Sequence, residues 1–334
     1  KRVFLLKEFI EKVRAVGMLI NGRWSEDDGK SRGEGGKFDH LPTCFHHRIT
    51  EDGSSGFRSE SGRYFLYVSR TCPWAHRTII FRHLKGLADD IGLIMVRSGE
   101  EGYEIERDDT KLVPGTDLKI TNLHELYSLS NKKYTGRVTV PALWDAKTCK
   151  IVNNESSEII EMLNNEFNEI GGDNYDYFPE NLKTEIQTIN NMVYHKVNNG
   201  VYKAGFSTSQ EAYEDAYEGL FEAFDTMEKI LGKQRYLAGS MITGADWRAF
   251  PTLYRFDTVY HYAFKCNKKH LYEYPNLWNY TKDLYQMPGI SDICWLEAAK
   301  VNYWTGSRVN ATGTIPKGPE GIDFLAPHDR TRFR

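Results

Sequence analysis

The stretch of this 334-residue chain whose residue types and spacing could do chemistry is Cys72-Pro73-Trp74-Ala75-His76-Arg77. A strand-like run (64–69) precedes it and a helix-like run (78–84) follows, so the thiol falls at a helix start. Backbone N–H groups at a helix N-terminus favour an anion. Pro73 at the first helical position forfeits no hydrogen bond, and His76 and Arg77 add positive potential. Each feature favours thiolate over thiol, and a thiolate is a nucleophile. Ala75 stands where a dithiol oxidoreductase has its second cysteine, so an external thiol must resolve any adduct on Cys72. The competing reading, a small apolar residue buried at a strand end, is the ordinary fate of a free cysteine.

The elements that must position this thiol read as strand (64–69), helix (74–87) and strand (91–96), a β-α-β unit with a parallel crossover. Residues 98–135 are polar and weakly patterned, an insertion with a short helical candidate at 123–129. Residues 138–144 and 150–152 then read as a hairpin, and Glu155-Ser156-Ser157-Glu158 opens a helix that runs to 167. Pro141 cannot donate a ladder hydrogen bond, which implies an edge, a bulge or a cis turn. A linker at 171–179 leads into helices expected at 182–198, 209–231, 244–264, 275–285 and 290–300, with no further strands and a Gly/Pro-bearing tail from 303. Thr243-Gly244-Ala245-Asp246 is a capping-box pattern with a structural role. Ahead of the thiol, residues 3–16 make a short amphipathic helix at most, and 21–62 read as a long irregular segment.

Composition narrows the function classes. A length of 334 residues accommodates two domains, and 40% hydrophobic residues support sizeable cores. A net charge of -3 leaves no basic footprint for nucleic acid or an anionic membrane, and no stretch matches the apolar length of a membrane span. The 20 tyrosines exceed what a core requires, so some are expected to line a site. Cys44, Cys72, Cys149, Cys266 and Cys294 are scattered and odd in number, which fits a reducing, cytoplasmic compartment. His40, Cys44, His46 and His47 match no tetrahedral spacing, and no metal is expected. Three Asn-x-Ser/Thr patterns, at Asn154, Asn279 and Asn310, are read as chance because no secretory leader is read. The chain begins at Lys1 rather than Met, which leaves room for an upstream segment such as an organellar transit peptide.

An α/β domain with a thiol after its first strand and a proline heading its third, followed by helices alone, is the layout of a thioredoxin-fold N-terminal domain joined to an all-α helical-bundle C-terminal domain, the glutathione transferase fold. Expected bounds are an N-terminal extension and loop at 1–62, the thioredoxin-like domain at 63–170, the helical substrate domain at 181–300, and a tail at 301–334 packing back near the site. Within that superfamily the chain resembles the Xi class, omega-like transferases also called glutathionyl-hydroquinone reductases. The likeness is carried by Cys72-Pro73-Trp74-Ala75-His76-Arg77-Thr78, Arg137-Val138-Thr139-Val140-Pro141, Leu143-Trp144-Asp145, Asn154-Glu155-Ser156, the run from Asn198 to Phe206, Arg255-Phe256-Asp257 and Tyr285-Gln286-Met287-Pro288-Gly289-Ile290. Ile20-Asn21-Gly22-Arg23-Trp24 and Gly35-Gly36-Lys37-Phe38 resemble the family's opening.

The resemblance implies glutathione-dependent reduction of glutathionyl-hydroquinones. Cys72 would attack the thioether sulfur, release the hydroquinone and keep glutathione as a mixed disulfide, and a second glutathione would resolve it to oxidised glutathione. By the same resemblance Trp74, Tyr103, Arg137, Val140, Pro141, Glu155 and Ser156 bind glutathione. Val140 pairs its backbone with the cysteinyl portion, Glu155 and Ser156 hold the γ-glutamyl end, and Arg137 adds charge for a carboxylate. Tyr202, Tyr260 and Tyr303 line the hydroquinone pocket, hold its hydroxyls and steer the proton the ring carbon gains. Gly102-Tyr103-Glu104-Ile105 departs from the family's Gly-Trp-x-Phe run and leaves a smaller aromatic face with an added hydroxyl. A homodimer is implied as well. The alternative activity is that of a general omega-type thioltransferase or dehydroascorbate reductase using the same thiol. A non-catalytic binding module is disfavoured because Cys72, Val140, Glu155 and Ser156 are all present, and a conjugating transferase because it consumes no enzyme thiol.

Overall fold

The structure is a computed structural model that describes residues 17–26, 34–38, 42–306, 309–310 and 312–333. The helix expected at 3–16 and His40 lie outside the described residues. Two compact units emerge, one built mainly from 42–175 and the other mainly from 176–304 with 314–333.

The first unit carries a five-stranded sheet. Its opening hairpin is β1 (Met18–Ile20) and β2 (Arg23–Ser25), joined by Asn21 and Gly22, both at positive φ, the requirement of a two-residue hairpin turn. Leu19 and Gly136 exchange backbone hydrogen bonds at 2.9 Å, which lays the hairpin along the segment ahead of Arg137. The main sheet contains β3 (Tyr64–Val68), β4 (Ile91–Gly99), β5 (Gly102–Ile105), β6 (Ala142–Asp145) and β7 (Lys150–Asn153) in the order β5-β4-β3-β6-β7. Helix α1 (Pro73–Leu84) makes the crossover between the parallel pair β3 and β4, while β6 runs antiparallel to β3. Helices α2 (Leu123–Ser130) and α3 (Ser156–Asn165) complete the unit, and α1 packs on α3.

Two expectations change. The segment 98–135 is not wholly an irregular insertion: β5 adds an antiparallel edge strand, with Ser98 opposite Tyr103. Its polar residues hide it because an edge strand with one wet face lacks a continuous apolar run. The strand expected at 138–144 begins only at Ala142, after a cis Val140-Pro141 bond. At the far end of the sheet Arg63 donates to both carboxylate oxygens of buried Asp145 at 2.7 Å, a bidentate pair tying β3 to β6.

The second unit is helical among its described residues: α4 (Lys183–Met192), α5 (Gly200–Phe206), α6 (Gln210–Leu231), α7 (Gly244–Arg255), α8 (His261–Ala263), α9 (Pro275–Tyr285) and α10 (Leu296–Thr305). The helix expected at 182–198 ends in a π-helical turn at Val193–Asn198, where buried Asn198 donates to Arg248 O and to Thr252 Oγ1. A second π turn, Phe256–Tyr260, breaks the helix expected at 244–264. The last helix begins later than expected, at Leu296, after a 3-10 turn.

The capping box forms as expected: Thr243 N and Oγ1 donate to Asp246 Oδ2 at 2.8 and 3.0 Å, and Tyr280 OH donates to Asp246 Oδ1. In the tail, buried Arg330 donates to the carbonyls of Leu231, Gln234 and Arg235 at the end of α6, and Phe324 packs its ring on Tyr254, Trp278 and Tyr285. No described helix is long and apolar enough to cross a membrane.

Candidate active site

In the sheet unit three backbone features converge. Cys72 is the extended N-cap residue of α1 (φ -82, ψ 120), with Pro73 in the first turn and the Cys72 carbonyl accepting His76 N at 3.0 Å. The helix therefore starts at the thiol, as the sequence implies. The Cys72 Sγ donates to Val140 O at 3.6 Å, so the residue ahead of the cis proline lies beside the sulfur. Half-buried Tyr103 on β5 belongs to the same neighbourhood. Its phenol pKa is pushed far up by burial and further by Cys72 and Tyr127.

Glu155 and Ser156 open α3. Glu155 is the N-cap residue, and its Oε1 accepts Ser157 N at 3.1 Å and Ser157 Oγ at 2.9 Å. Capping occupies Oε1; among the described residues Oε2 accepts a long bond from Thr43 Oγ1, 3.5 Å. The cap and the expected hold on the γ-glutamyl end are thus compatible on one carboxylate, which has about four lone-pair sites. Ser156 is buried, and Arg77 Nη1 donates to its Oγ at 3.3 Å. The Arg77 guanidinium also lies 4.5 Å from the Trp74 ring centroid, which joins Trp74 to the α3 terminus. Half-buried Arg137 sits on the approach to Val140, with its carbonyl accepting Tyr134 OH at 2.7 Å.

Sequence reasoning missed the frame that holds these segments together. Tyr127 on α2 donates to Thr139 O at 2.7 Å, and Asn154 Nδ2 donates to Tyr127 OH and Thr139 Oγ1 at 3.2 and 3.3 Å. Asn154 also exchanges bonds with the Phe45 backbone at 3.1 and 3.2 Å. Asn154 was visible in the Asn154-Glu155-Ser156 block, but Tyr127 carried no signal among 20 tyrosines. Arg77 was visible only as a charge, not as a partner of Ser156. In the histidine-bearing segment, His46 Nδ1 pairs with Glu158 at 2.9 Å and its Nε2 lies 3.0 Å from Thr43 O. No group of three metal-type side chains converges among the described residues.

In the helical unit the three tyrosines come together from three separate elements. Tyr202 of α5 and Tyr303 of α10 share a hydrogen bond at 2.5 Å between their hydroxyls. Tyr260, at the end of the second π turn, lies 5.9 Å from the Tyr202 ring and 5.8 Å from the Tyr303 ring. Phe264 touches all three, with centroids at 5.3, 5.3 and 5.7 Å. Gly205 lets Phe264 this close: a Cβ there would meet the Phe264 ring at 2.4 Å. Phenols gathered this way can present hydroxyls and ring faces to an aromatic ligand.

The family description "Glutathione S-transferase, N-terminal domain" matches residues 71–166, and "Glutathione S-transferase, C-terminal domain" matches 210–283. Glutathionyl-hydroquinone reductase YqjG of Escherichia coli is 42% identical over 324 residues, covering 94% of this chain and 98% of that protein. The Xi-class transferase of Natrialba magadii superposes with a TM-score of 0.87 at 39% identity, covering 96% and 98% of the two chains. The chain belongs to the Xi-class glutathione transferases. The glutathione-bound structure of YqjG, a glutathione transferase homolog from Escherichia coli K-12, superposes with a TM-score of 0.81 at 43% identity, covering 86% of this chain and 97% of that one. Membership accounts for the layout of this Xi-class chain: the thiol, cis proline and α3 terminus sit on the thioredoxin-type sheet, and the tyrosines on the helical unit.

Proposed function

We propose that the chain reduces glutathionyl-hydroquinones to hydroquinones, with glutathione as co-substrate. Its chief support is Cys72, an N-cap thiol beside Val140 with Ala75 where a second thiol would stand. Relatives covering almost the whole chain are named glutathionyl-hydroquinone reductases, from Escherichia coli and Sphingobium chlorophenolicum.

In the first step the Cys72 thiolate attacks the thioether sulfur. The S–S bond to glutathione forms and the carbon–sulfur bond breaks; its electron pair goes to the ring carbon, which takes up a proton. Tyr202, Tyr260 and Tyr303 hold the ring hydroxyls and deliver that proton. In the second step a glutathione thiolate attacks the mixed disulfide, releasing oxidised glutathione and regenerating the Cys72 thiolate. The γ-glutamyl end rests on Glu155 and Ser156, the cysteinyl portion on the Val140 backbone beside Pro141, with Trp74, Tyr103 and Arg137 around it. We place the enzyme in the cytoplasm, in keeping with five free cysteines, and as a homodimer on the family resemblance alone.

A general thioltransferase would use the same thiol, and some relatives are named omega-like transferases, among them one from Schizosaccharomyces pombe. Turnover of a panel of glutathionyl-hydroquinones against a small glutathione mixed disulfide separates the two. The hydroquinone conjugates should be the better substrates, intact mass should show one glutathione on Cys72, and Cys72→Ser should lose roughly ten-thousandfold or more in kcat, the scale of nucleophile deletions. Activity surviving in Cys72→Ser, or turnover of the mixed disulfide alone, would overturn the reading.

A further inference from the structure

Arg77 lies on α1 one turn past Cys72 and is 2% exposed. Its Nη1 donates to Ser156 Oγ at 3.3 Å while its guanidinium carbon lies over the Trp74 ring, 4.5 Å from the centroid. A guanidinium only donates, whereas a serine hydroxyl has one proton and two lone pairs. With a lone pair of Ser156 turned to Arg77, the Ser156 proton must point to some other acceptor. Arg77 takes one lone pair, so the Ser156 proton is left for an acceptor and only a single lone pair remains for a donor.

We infer that Arg77 is a positioning residue that fixes Ser156 as a hydrogen-bond donor and thereby makes the head of α3 select a ligand carboxylate, that of the γ-glutamyl end. Lysine would supply the charge without this geometry, because only the planar fork reaches Ser156 while its face lies on an indole. The inference rests on the proposed placement of the γ-glutamyl end at Ser156 and adds a residue that acts through Ser156 without touching the ligand.

The test uses two probes that cannot turn over: S-methylglutathione, and S-methyl-4-aminobutyryl-cysteinyl-glycine, which lacks only the γ-glutamyl carboxylate. Dissociation constants are measured by calorimetry on the full chain and on Arg77→Gln, Arg77→Lys, Ser156→Ala and Arg77→Gln/Ser156→Ala. The wild type should prefer the carboxylate-bearing probe. Arg77→Gln should weaken that probe roughly ten- to hundredfold, the scale of a hydrogen bond to a charged group, and leave the shortened probe nearly unchanged. Arg77→Lys should fall between. The double variant should be no worse than about twofold beyond the weaker single one, because both substitutions break one interaction.

Multiplying penalties for Arg77→Gln and Ser156→Ala, or equal weakening of both probes by Arg77→Gln, would overturn the inference. Should Arg77→Gln fail to fold in a thermal melt, Arg77→Lys decides by the same ratio of probes. A wild type indifferent to the missing carboxylate would overturn the Ser156 placement itself, and the variants are not needed to see it.

Discussion

The thiol half-site and the tyrosine cluster solve the problem of holding functional groups in opposite ways. In the sheet unit the groups hang on backbone: Cys72 on the start of α1, Val140 ahead of a cis proline, Glu155 and Ser156 on the start of α3. Packing there is done largely by other residues, such as Leu66, Val68 and Ile80. In the helical unit the rings proposed to meet the hydroquinone are themselves packing groups. Tyr260 is wholly buried, Tyr202 is 8% exposed, and both rest on Phe264. A side chain can be removed from the first half with local consequences, whereas in the second, function and stability change together unless the substitution spares the ring.

Tyr303→Phe spares the ring and removes one hydroxyl, so it separates the two halves most sharply. Loss of the bond to Tyr202 should cost about 1 kcal/mol of stability and leave the unit folded. The kcat for hydroquinone release should fall about a hundredfold, the contribution of a positioned proton donor. Reduction of a small mixed disulfide by Cys72 should change by only a few-fold. Equal losses in the two assays would mean the tyrosines support the thiol step as well, and the division of labour would be wrong.

The same contrast explains what was legible in the sequence. Backbone-borne function leaves marks on neighbouring residues: a proline at N1, a carboxylate and a serine at the head of a helical run, a missing second cysteine. Those marks located Cys72 and the helix start at Glu155-Ser156 before any coordinates, although the glutathione roles of Val140, Glu155 and Ser156 came from the family likeness. Aromatic clusters leave none, because a ring that packs and a ring that serves a ligand are the same residue type at the same spacing; Tyr202, Tyr260 and Tyr303 were reached only through family likeness. The π turns at Val193–Asn198 and Phe256–Tyr260 were equally hidden, since one extra residue in a helix shifts its face without altering composition. The hairpin of β1 and β2 was there to be read: Asn21-Gly22 between short runs is a strong turn signal, obscured by strands of only three residues. Arg330 escaped because its partners are main-chain carbonyls at the end of α6, which no side-chain pattern announces.

Gly205→Ala probes the packed half directly. The added Cβ would lie 2.4 Å from Phe264 Cγ, well inside contact, so the ring beneath all three tyrosines must move. Overpacking of this kind costs about 1–3 kcal/mol. The thermal midpoint should drop and hydroquinone turnover should weaken, while the rate of Cys72 alkylation by iodoacetamide stays close to wild type. Slowed alkylation would break the comparison, because it would show that strain in the aromatic cluster reaches the thiol.

Acid should separate the units by the kind of group each has buried. In the helical unit His261, 7% exposed and stacked at 3.7 Å on His270, has its pKa lowered to about 4 by burial and by the neighbouring His270. The unfolded chain takes up a proton near the ordinary 6.5 that the folded one refuses, so stability is full above that value and falls as pH drops toward 4. Burial raises the pKa of nearby Asp257, which favours the folded state on acidification and offsets part of the loss. In the sheet unit burial pushes Asp145 up, but the Arg63 pair and Thr148 outweigh it and hold the carboxyl below 3.8, so that contribution persists through pH 5 and fails only below 3.8. Hydrogen exchange along an acid titration should therefore loosen α7 to α9 between pH 6.5 and 4 while β3 and β6 stay protected. His261→Phe should flatten the first window alone. Simultaneous loss of protection in both units would mean that they unfold as one cooperative body, with the buried imidazole no longer the weaker point.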